Sequence, residues 1–277
     1  MKKLVYLGPE GSYSQLAAKK ISSSVIFEAQ PSIKKIIEIM DNLPIELHHE
    51  VEAVIPIENF IEGIVRETID NLVISKNIQI IKEVLLPISH CLVTKEMTLQ
   101  NIKKVYSHPQ ALAQCNSFLV NNLPMVEILP TTSTSEAVRL IKNAKECAAI
   151  AGENASNLYE VPIFMKKIND EPDNKTRFIL IGHRQLPISG SDRTGFAFST
   201  LNKAGALVDV MSVFKKYNIN LSYIDSRPSK KVFGTYTFYI ECDAYIQDEM
   251  LQKAIKEIQP LTTFLKFIGS YPKDVNG

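Results

Sequence analysis

LVYLGPEGSYSQLAAKKI (Leu4–Ile21) runs from an apolar stretch through a tight turn into helical periodicity. Leu4 to Leu7 have the length and composition of a buried strand. Gly8, Pro9 and Gly11 bend the chain, Ser12 stands where a helix N-cap belongs, and Gln15 three residues on is its capping-box partner. Working outward, the same unit returns. VIFE (25–28) precedes SIKKIIEIM (32–40), whose Ile33, Ile36, Ile37 and Met40 share one helical face. VEAVIPI (51–57) precedes GIVRETIDNLV (63–73). Strands alternating with helices predict an α/β fold with a parallel or mixed sheet flanked by helices.

The pattern then restarts. IQIIKEVLLPISHCLV (78–93) reads as one or two strands interrupted at Pro87. VYSH with helix PQALAQCNSFLVNN follows, then MVEILP with STSEAVRLIKN, then CAAIA with a short helix near NASNLY. IFMKKI and RFILIG add further strands. Two α/β lobes with the chain crossing between them predict a ligand cleft at their junction. RQLPISGSDRTG (184–195) has linker composition. Beyond it, TGFAFSTL, GALVDVMSVFKKY, INLSYIDS, TYTFYIEC, QDEMLQKAIKEI and TFLKFIGSY give βαββαβ, the ferredoxin-like order. Such a small sandwich leaves a sheet face or edge to cover, so pairing with a second copy is expected.

The chain has 277 residues, with 31 basic against 30 acidic, so no bulk attraction to nucleic acid or an anionic membrane is expected. Only six of the basic residues are arginines, which draws attention to each as a rigid bidentate donor. Cys91, Cys115, Cys147 and Cys242 are widely spaced among apolar or small neighbours and read as reduced core residues. No metal-ligand spacing occurs, and no apolar run approaches the ~18 residues of a membrane span. With no signal h-region at the N-terminus, the expected location is cytoplasmic.

Four polar clusters sit at the expected strand-to-helix turns. GPEGSYS offers Ser12 and a helix N-terminus, a favourable place for an anion. PIENFIEGIV puts Glu58 and Asn59 just past a buried strand. In VYSHPQALAQC, Ser107 is the expected cap, and Gln110 and Gln114, four apart, share a face. NKTRFILIG (174–182) sets Asn174, Thr176 and Arg177 at the mouth of a buried strand, so that two of them face one side. Each cluster alone also fits an ordinary capped turn or solvated strand end. Together, hydroxyls, amides and a guanidinium suit binding a small dianion and giving it a proton.

Five of these stretches, YLGPEGSYSQLAA, IPIENFIEGIV, VYSHPQALAQC, AAIAGENASNLY and NKTRFILIG, resemble the prephenate dehydratases in order and spacing. GALVDVMSVFKKYNINLSYIDSRP resembles the ACT regulatory domain that follows in that family. The resemblance implies a two-lobed, periplasmic-binding-protein-like catalytic domain over 1–185, with lobes of roughly 1–76 plus 160–185 and 77–159, and an ACT domain over 194–277. It implies conversion of prephenate to phenylpyruvate, water and carbon dioxide in L-phenylalanine synthesis, with no cofactor. Arogenate, the amino analogue, would undergo the same elimination. The implied catalytic set is Thr176, Asn59, Gln114 and Ser107, and the implied substrate-binding set is Ser12, Glu58, Gln110 and Arg177. Phe60 stands where the family usually has a small hydroxyl residue, which would reshape the pocket rim. L-phenylalanine is the implied allosteric effector, bound between paired copies in a homodimer or homotetramer. Gly205, Ala206, Leu207, Asn220, Leu221, Asp225 and Arg227 are its implied contacts, with Asp225 in place of the usual Glu.

Overall fold

A computed structural model describes residues 2–228 and 236–274. Thr235 of the expected strand TYTFYIEC and residues 275–277 of the expected C-terminal domain lie outside the described residues.

The first lobe is built on β1 (Lys3–Leu7), β2 (Ile26–Gln30), β3 (Val51–Asn59), the two-residue β4 (Gly63–Ile64) and β5 (Gln79–Pro87). Its helices are α1 (Tyr13–Ile21), α2 (Ile33–Asp41) and α3 (Arg66–Ile74). Ile33, Ile36, Ile37 and Met40 of α2 are all buried, as their spacing required. The second lobe holds β6 (Cys91–Thr94), β7 (Lys104–Ser107), β8 (Glu127–Pro130), β9 (Cys147–Ala151) and β10 (Ile163–Met165). Around that sheet pack α4 (Pro109–Ala113), α5 (Asn116–Asn122), α6 (Thr134–Ile141) and α7 (Glu153–Tyr159). The stretch expected as one helix, 109–122, is thus two, broken at Gln114 and Cys115. The chain then returns to the first lobe as β11 (Lys175–Gly182), antiparallel between β3 and β5.

The lobe boundaries expected at 76/77 and 159/160 are displaced. IQIIKEVLLPISHCLV is two strands in two different sheets, β5 in the first and β6 in the second, while β10 lies at the edge of the second. Pro87 ends β5, because it has no N–H with which to continue a ladder. The sheets therefore divide at 88–90 and 166–174.

No regular element covers 183–191, so the expected linker is shorter at its far end. After it come β12 (Asp192–Thr200), α8 (Ala206–Lys216), β13 (Leu221–Pro228), β14 (Tyr236–Cys242), α9 (Glu249–Ile258) and β15 (Thr262–Pro272). This is the expected βαββαβ order, and the antiparallel strand sequence β13-β14-β12-β15 is ferredoxin-like. One face packs on α8 and α9 through Phe196, Phe198, Val213, Phe214 and Leu251. The other face shares a core with the first lobe, where Tyr239, Ile268 and Tyr271 meet Ile69, Leu72 and Ile80. The two sheets join edge to edge at one rung, Gly269 against Ile80. A Cβ at Gly269 would stand 2.5 Å from the Ile80 carbonyl oxygen, so only glycine permits that approach. All four cysteines are buried and free, as their neighbours suggested. No helix among the described residues is long and apolar enough to cross a membrane.

Candidate active site

A cavity of about 210 Å³ opens where the two lobes meet. Ser12 at the start of α1, Asn59 at the end of β3, Gln110 and Gln114 around α4, Ser133 at the start of α6 and Thr176 at the start of β11 all line it. The lobes touch beside it: Ser135 Oγ donates to the Glu10 carbonyl at 2.5 Å, and the Asn154 amide donates to the Gly11 carbonyl. Ser12 accepts from the Gln15 backbone N–H at 3.3 Å, as a cap should. Gln15 reaches back to the Gly11 N–H at 2.9 Å, one residue short of the expected capping box.

The centre is a chain of amides. Strand register sets Thr176 opposite Asn59. Asn59 Nδ2 donates to Thr176 Oγ1 at 2.9 Å and to Asn174 Oδ1 at 3.0 Å, while Asn59 Oδ1 accepts from the backbone N–H groups of Ile61 and Glu62. Asn174 Nδ2 donates to Gln114 Oε1 at 3.1 Å. His90 Nε2 lies 3.2 Å from the same oxygen. That oxygen can only accept, so His90 carries its proton on Nε2. Two consequences follow from donor counting. Because the Thr176 oxygen accepts from Asn59, the hydroxyl proton is left for whatever occupies the cavity. Because both bonds to Gln114 fall on its oxygen, its Nε2 has no hydrogen-bond partner among the described residues and remains a donor.

Burial lowers the His90 pKa, although its bond to Gln114 acts the other way, so the ring is neutral. Tyr13 stands edge-on to it with centroids 6.2 Å apart and donates to the Ser89 carbonyl at 2.6 Å. Burial raises the Tyr13 pKa well above that of a free phenol, and it stays a neutral donor.

Thr176, Asn59, Gln114, Ser12 and Gln110 are thus brought together as their motifs suggested. Three other expectations are corrected. Ser107 does not cap α4: it is fully buried and donates to the Ile150 carbonyl at 2.6 Å, tying β7 to β9, and His108 Nδ1 caps the helix by accepting from the Gln110 N–H. Arg177 and Glu58 do not face the cavity. Successive side chains alternate across a strand, so with Thr176 and Asn59 turned inward their neighbours point the other way and bond each other at 2.9 Å. Phe60, expected at the rim, is 76% exposed and does not line the cavity. His90 and Tyr13 are additional cavity groups, and Asn174, buried behind the wall, ties Asn59 to Gln114. Asn174 had a signal in its two-residue spacing from Thr176; His90 and Tyr13 had none.

Among the described residues, the cavity lining contains no lysine or arginine, and no cluster of three or more histidine, cysteine or acidic side chains could hold a metal.

In the ferredoxin-like module, Gly205 adopts φ +81° at the start of α8. Asn220 donates to Asp243 at 2.7 Å, and Leu221 packs against the module core. Gly205–Leu207 lie at the start of α8 and Asn220–Leu221 beyond its end, with the helix, eleven residues and roughly 16 Å long, between them in the chain. Arg227 does not stand free for an effector: it pairs with Asp70 of α3 at 3.1 Å and lies 3.8 Å from Asp225.

Two α/β lobes meeting at a cleft of hydroxyls and amides, with a ferredoxin-like module after them, are the frame in which the comparisons stand. Residues 4–186 match the family model described as prephenate dehydratase, and the chain belongs to that family. The bifunctional chorismate mutase/prephenate dehydratase of Aquifex aeolicus (strain VF5) is 36% identical over 272 residues, covering 98% of this chain and 74% of its own. The prephenate dehydratase of Methanocaldococcus jannaschii is 36% identical over 281 residues and is matched over 98% of both chains. Among solved structures, prephenate dehydratase from Arthrobacter aurescens in complex with L-Phe gives a TM-score of 0.88 at 26% identity, covering 98% of this chain and 90% of that one.

Proposed function

We propose that this chain is a prephenate dehydratase that binds prephenate in the cavity beside Thr176 and eliminates its ring hydroxyl and ring carboxylate together. The observation that carries the reading is the direction of the Thr176 bond: Asn59 donates to its oxygen at 2.9 Å, which leaves the threonine proton for the substrate. In the elimination the ring C–O bond breaks, the C–C bond to the ring carboxylate gives carbon dioxide, and that electron pair completes the aromatic ring. The departing oxygen takes a proton and leaves as water. Thr176 donates to that oxygen as negative charge builds on it. The Asn59 amide stabilises charge on Thr176 in turn, and solvent restores the proton.

That the described residues put no cation on the cavity wall has a chemical use. A guanidinium against the ring carboxylate would hold the electrons that decarboxylation must release, whereas neutral donors at Gln114 and the start of α6 bind an anion with less penalty for losing it. Rapid loss of the threonine donor is the test. With prephenate as substrate and phenylpyruvate read by its absorbance in alkali, Thr176→Ala should lower kcat by about 10²–10³-fold while KM changes little, the usual cost of a lost transition-state donor. Undiminished turnover in that variant, or none in the native chain, overturns the proposal.

The module at 192–272 acts on this reading as an ACT-type sensor of L-phenylalanine. The separation of Gly205–Leu207 from Asn220–Leu221 within one chain supports a site completed by a second copy, which would bring one copy's helix start against the other's Asn220.

A further inference from the structure

Behind Thr176 lies a buried charged cluster that the elimination does not use. Arg177 is 4% exposed. Its Nε donates to Glu58 Oε2 at 2.9 Å, its Nη1 to Glu83 Oε2 at 3.3 Å and Glu241 Oε1 at 3.0 Å, and its Nη2 lies 3.0 Å from Glu241 Oε2. Glu58, Glu83 and Arg177 belong to the first lobe, on β3, β5 and β11. Glu241 belongs to β14 of the ferredoxin-like module, where it also accepts from Tyr239 at 2.7 Å and from Tyr271 at 3.3 Å. Arg193 of β12 closes the cluster, donating to Glu83 at 2.8 Å.

Cohesion is a poor explanation for this arrangement. Taking guanidinium and carboxylate groups out of water costs about what their attraction returns, so apolar residues of equal volume would join the sheets as well. What the charges add is one fixed geometry, since a guanidinium held by three carboxylates accepts a single orientation. That geometry is imposed where it matters. One rung of the β3–β11 ladder pairs Thr176 with Asn59, the next pairs Arg177 with Glu58, and the register shifts immediately beyond, between Arg177 and Phe178. On its other side β11 stays in regular register with β5 through Thr176 and Arg177, so on the β3 side, where the register shifts, the ion pairs add the constraint that holds the rung.

We propose that Arg177 is a positioning residue for the Thr176–Asn59 pair, and that Glu241 of the ferredoxin-like module sets its orientation; as a statement about turnover this rests on the prephenate dehydratase reading. The module thereby grips the catalytic strand one residue from the reacting hydroxyl.

Glu241→Gln keeps the shape and removes the charge. Leu251→Ala is the control, since Leu251 is buried in the separate core between the module's sheet and its helices. Glu241→Gln should lower kcat by about tenfold or more with KM held within about twofold, the pattern of a misplaced catalytic group. It should also shift the methyl resonance of Thr176 in threonine-labelled protein. Leu251→Ala should lower the melting temperature but leave kcat and that resonance in place. Unchanged kcat in Glu241→Gln, or an equal loss in Leu251→Ala, overturns the proposal. Should Glu241→Gln fail to fold, Tyr271→Phe removes the bond to Glu241 together with the 3.5 Å bond that Arg177 Nη1 donates to the Tyr271 hydroxyl, and should lower kcat in the same direction, unchanged kcat again overturning it. If the native chain does not turn over prephenate, the function falls on its own account. The Thr176 resonance then decides the positioning by itself, and its failure to move in Glu241→Gln defeats it.

Discussion

A single donor–acceptor assignment carries the role proposed for Thr176: the Asn59 amide nitrogen can only donate, so the threonine oxygen accepts and its proton faces the cavity. The same counting turns Gln114 into a donor and fixes the tautomer of His90. Thr176, Asn59, Gln114, Ser12 and Gln110 were legible because each sits in a polar motif at a strand–helix turn. His90 was not, because SHCLV carries no spacing signal and its role arises only when the fold sets it against Gln114. Its environment predicts a pH effect on stability. Burial holds the folded-state pKa below the ordinary 6.5, so between those two values the unfolded chain binds more protons than the folded one. Stability from this group is therefore full above about pH 6.5 and is lost as pH falls. Melting temperatures between pH 7 and pH 5 should fall less steeply in His90→Gln than in the native chain; parallel slopes would remove His90 from the account.

Among the elements, helix starts show how equal local energetics divide between stability and function. Ser12 and Ser32 cap α1 and α2 in the same manner, each accepting from the backbone N–H three residues on. Replacing either with alanine should cost about 1 kcal/mol, or about 2–4 °C in melting temperature. Only Ser12 lines the cavity. Ser12→Ala should therefore raise KM for prephenate as well, while Ser32→Ala should leave kinetics unchanged. Equal kinetic effects from both would mean that the start of α1 does not meet the substrate. Strand alternation explains the corrected residues at this scale. It forbids Thr176 and Arg177 from facing one cavity, and the spacing of Asn174 and Thr176 was the better guide. Ser107 misled because the residue after it, His108, is the cap, through a ring nitrogen.

For the whole molecule, the ferredoxin-like sheet is less a separate body than an extension of the first lobe. It shares a core with α3, an edge rung at Gly269 and the Arg177 cluster. Lys266 of β15 adds a cap on α3, donating to the Leu72 carbonyl at 2.7 Å and the Val73 carbonyl at 3.2 Å. On the proposed reading the module senses L-phenylalanine at a site completed by a second copy. Light scattering should accordingly give at least twice the chain mass, with L-phenylalanine bound, and Asn220→Ala should weaken that binding. A single-chain mass with L-phenylalanine binding intact would show that one copy suffices. The periodicities of 3.6 and 2, the turn residues and the polar motifs by themselves determined the α/β lobes, the βαββαβ tail and most of the cavity residues, because those signals are local and repeat along the chain. Only the tertiary structure decided that β5 belongs to the first sheet, that Arg177 serves the domain junction and that His90 orients Gln114. Each depends on partners far apart in sequence, and burial and pairing across that distance leave no periodic trace.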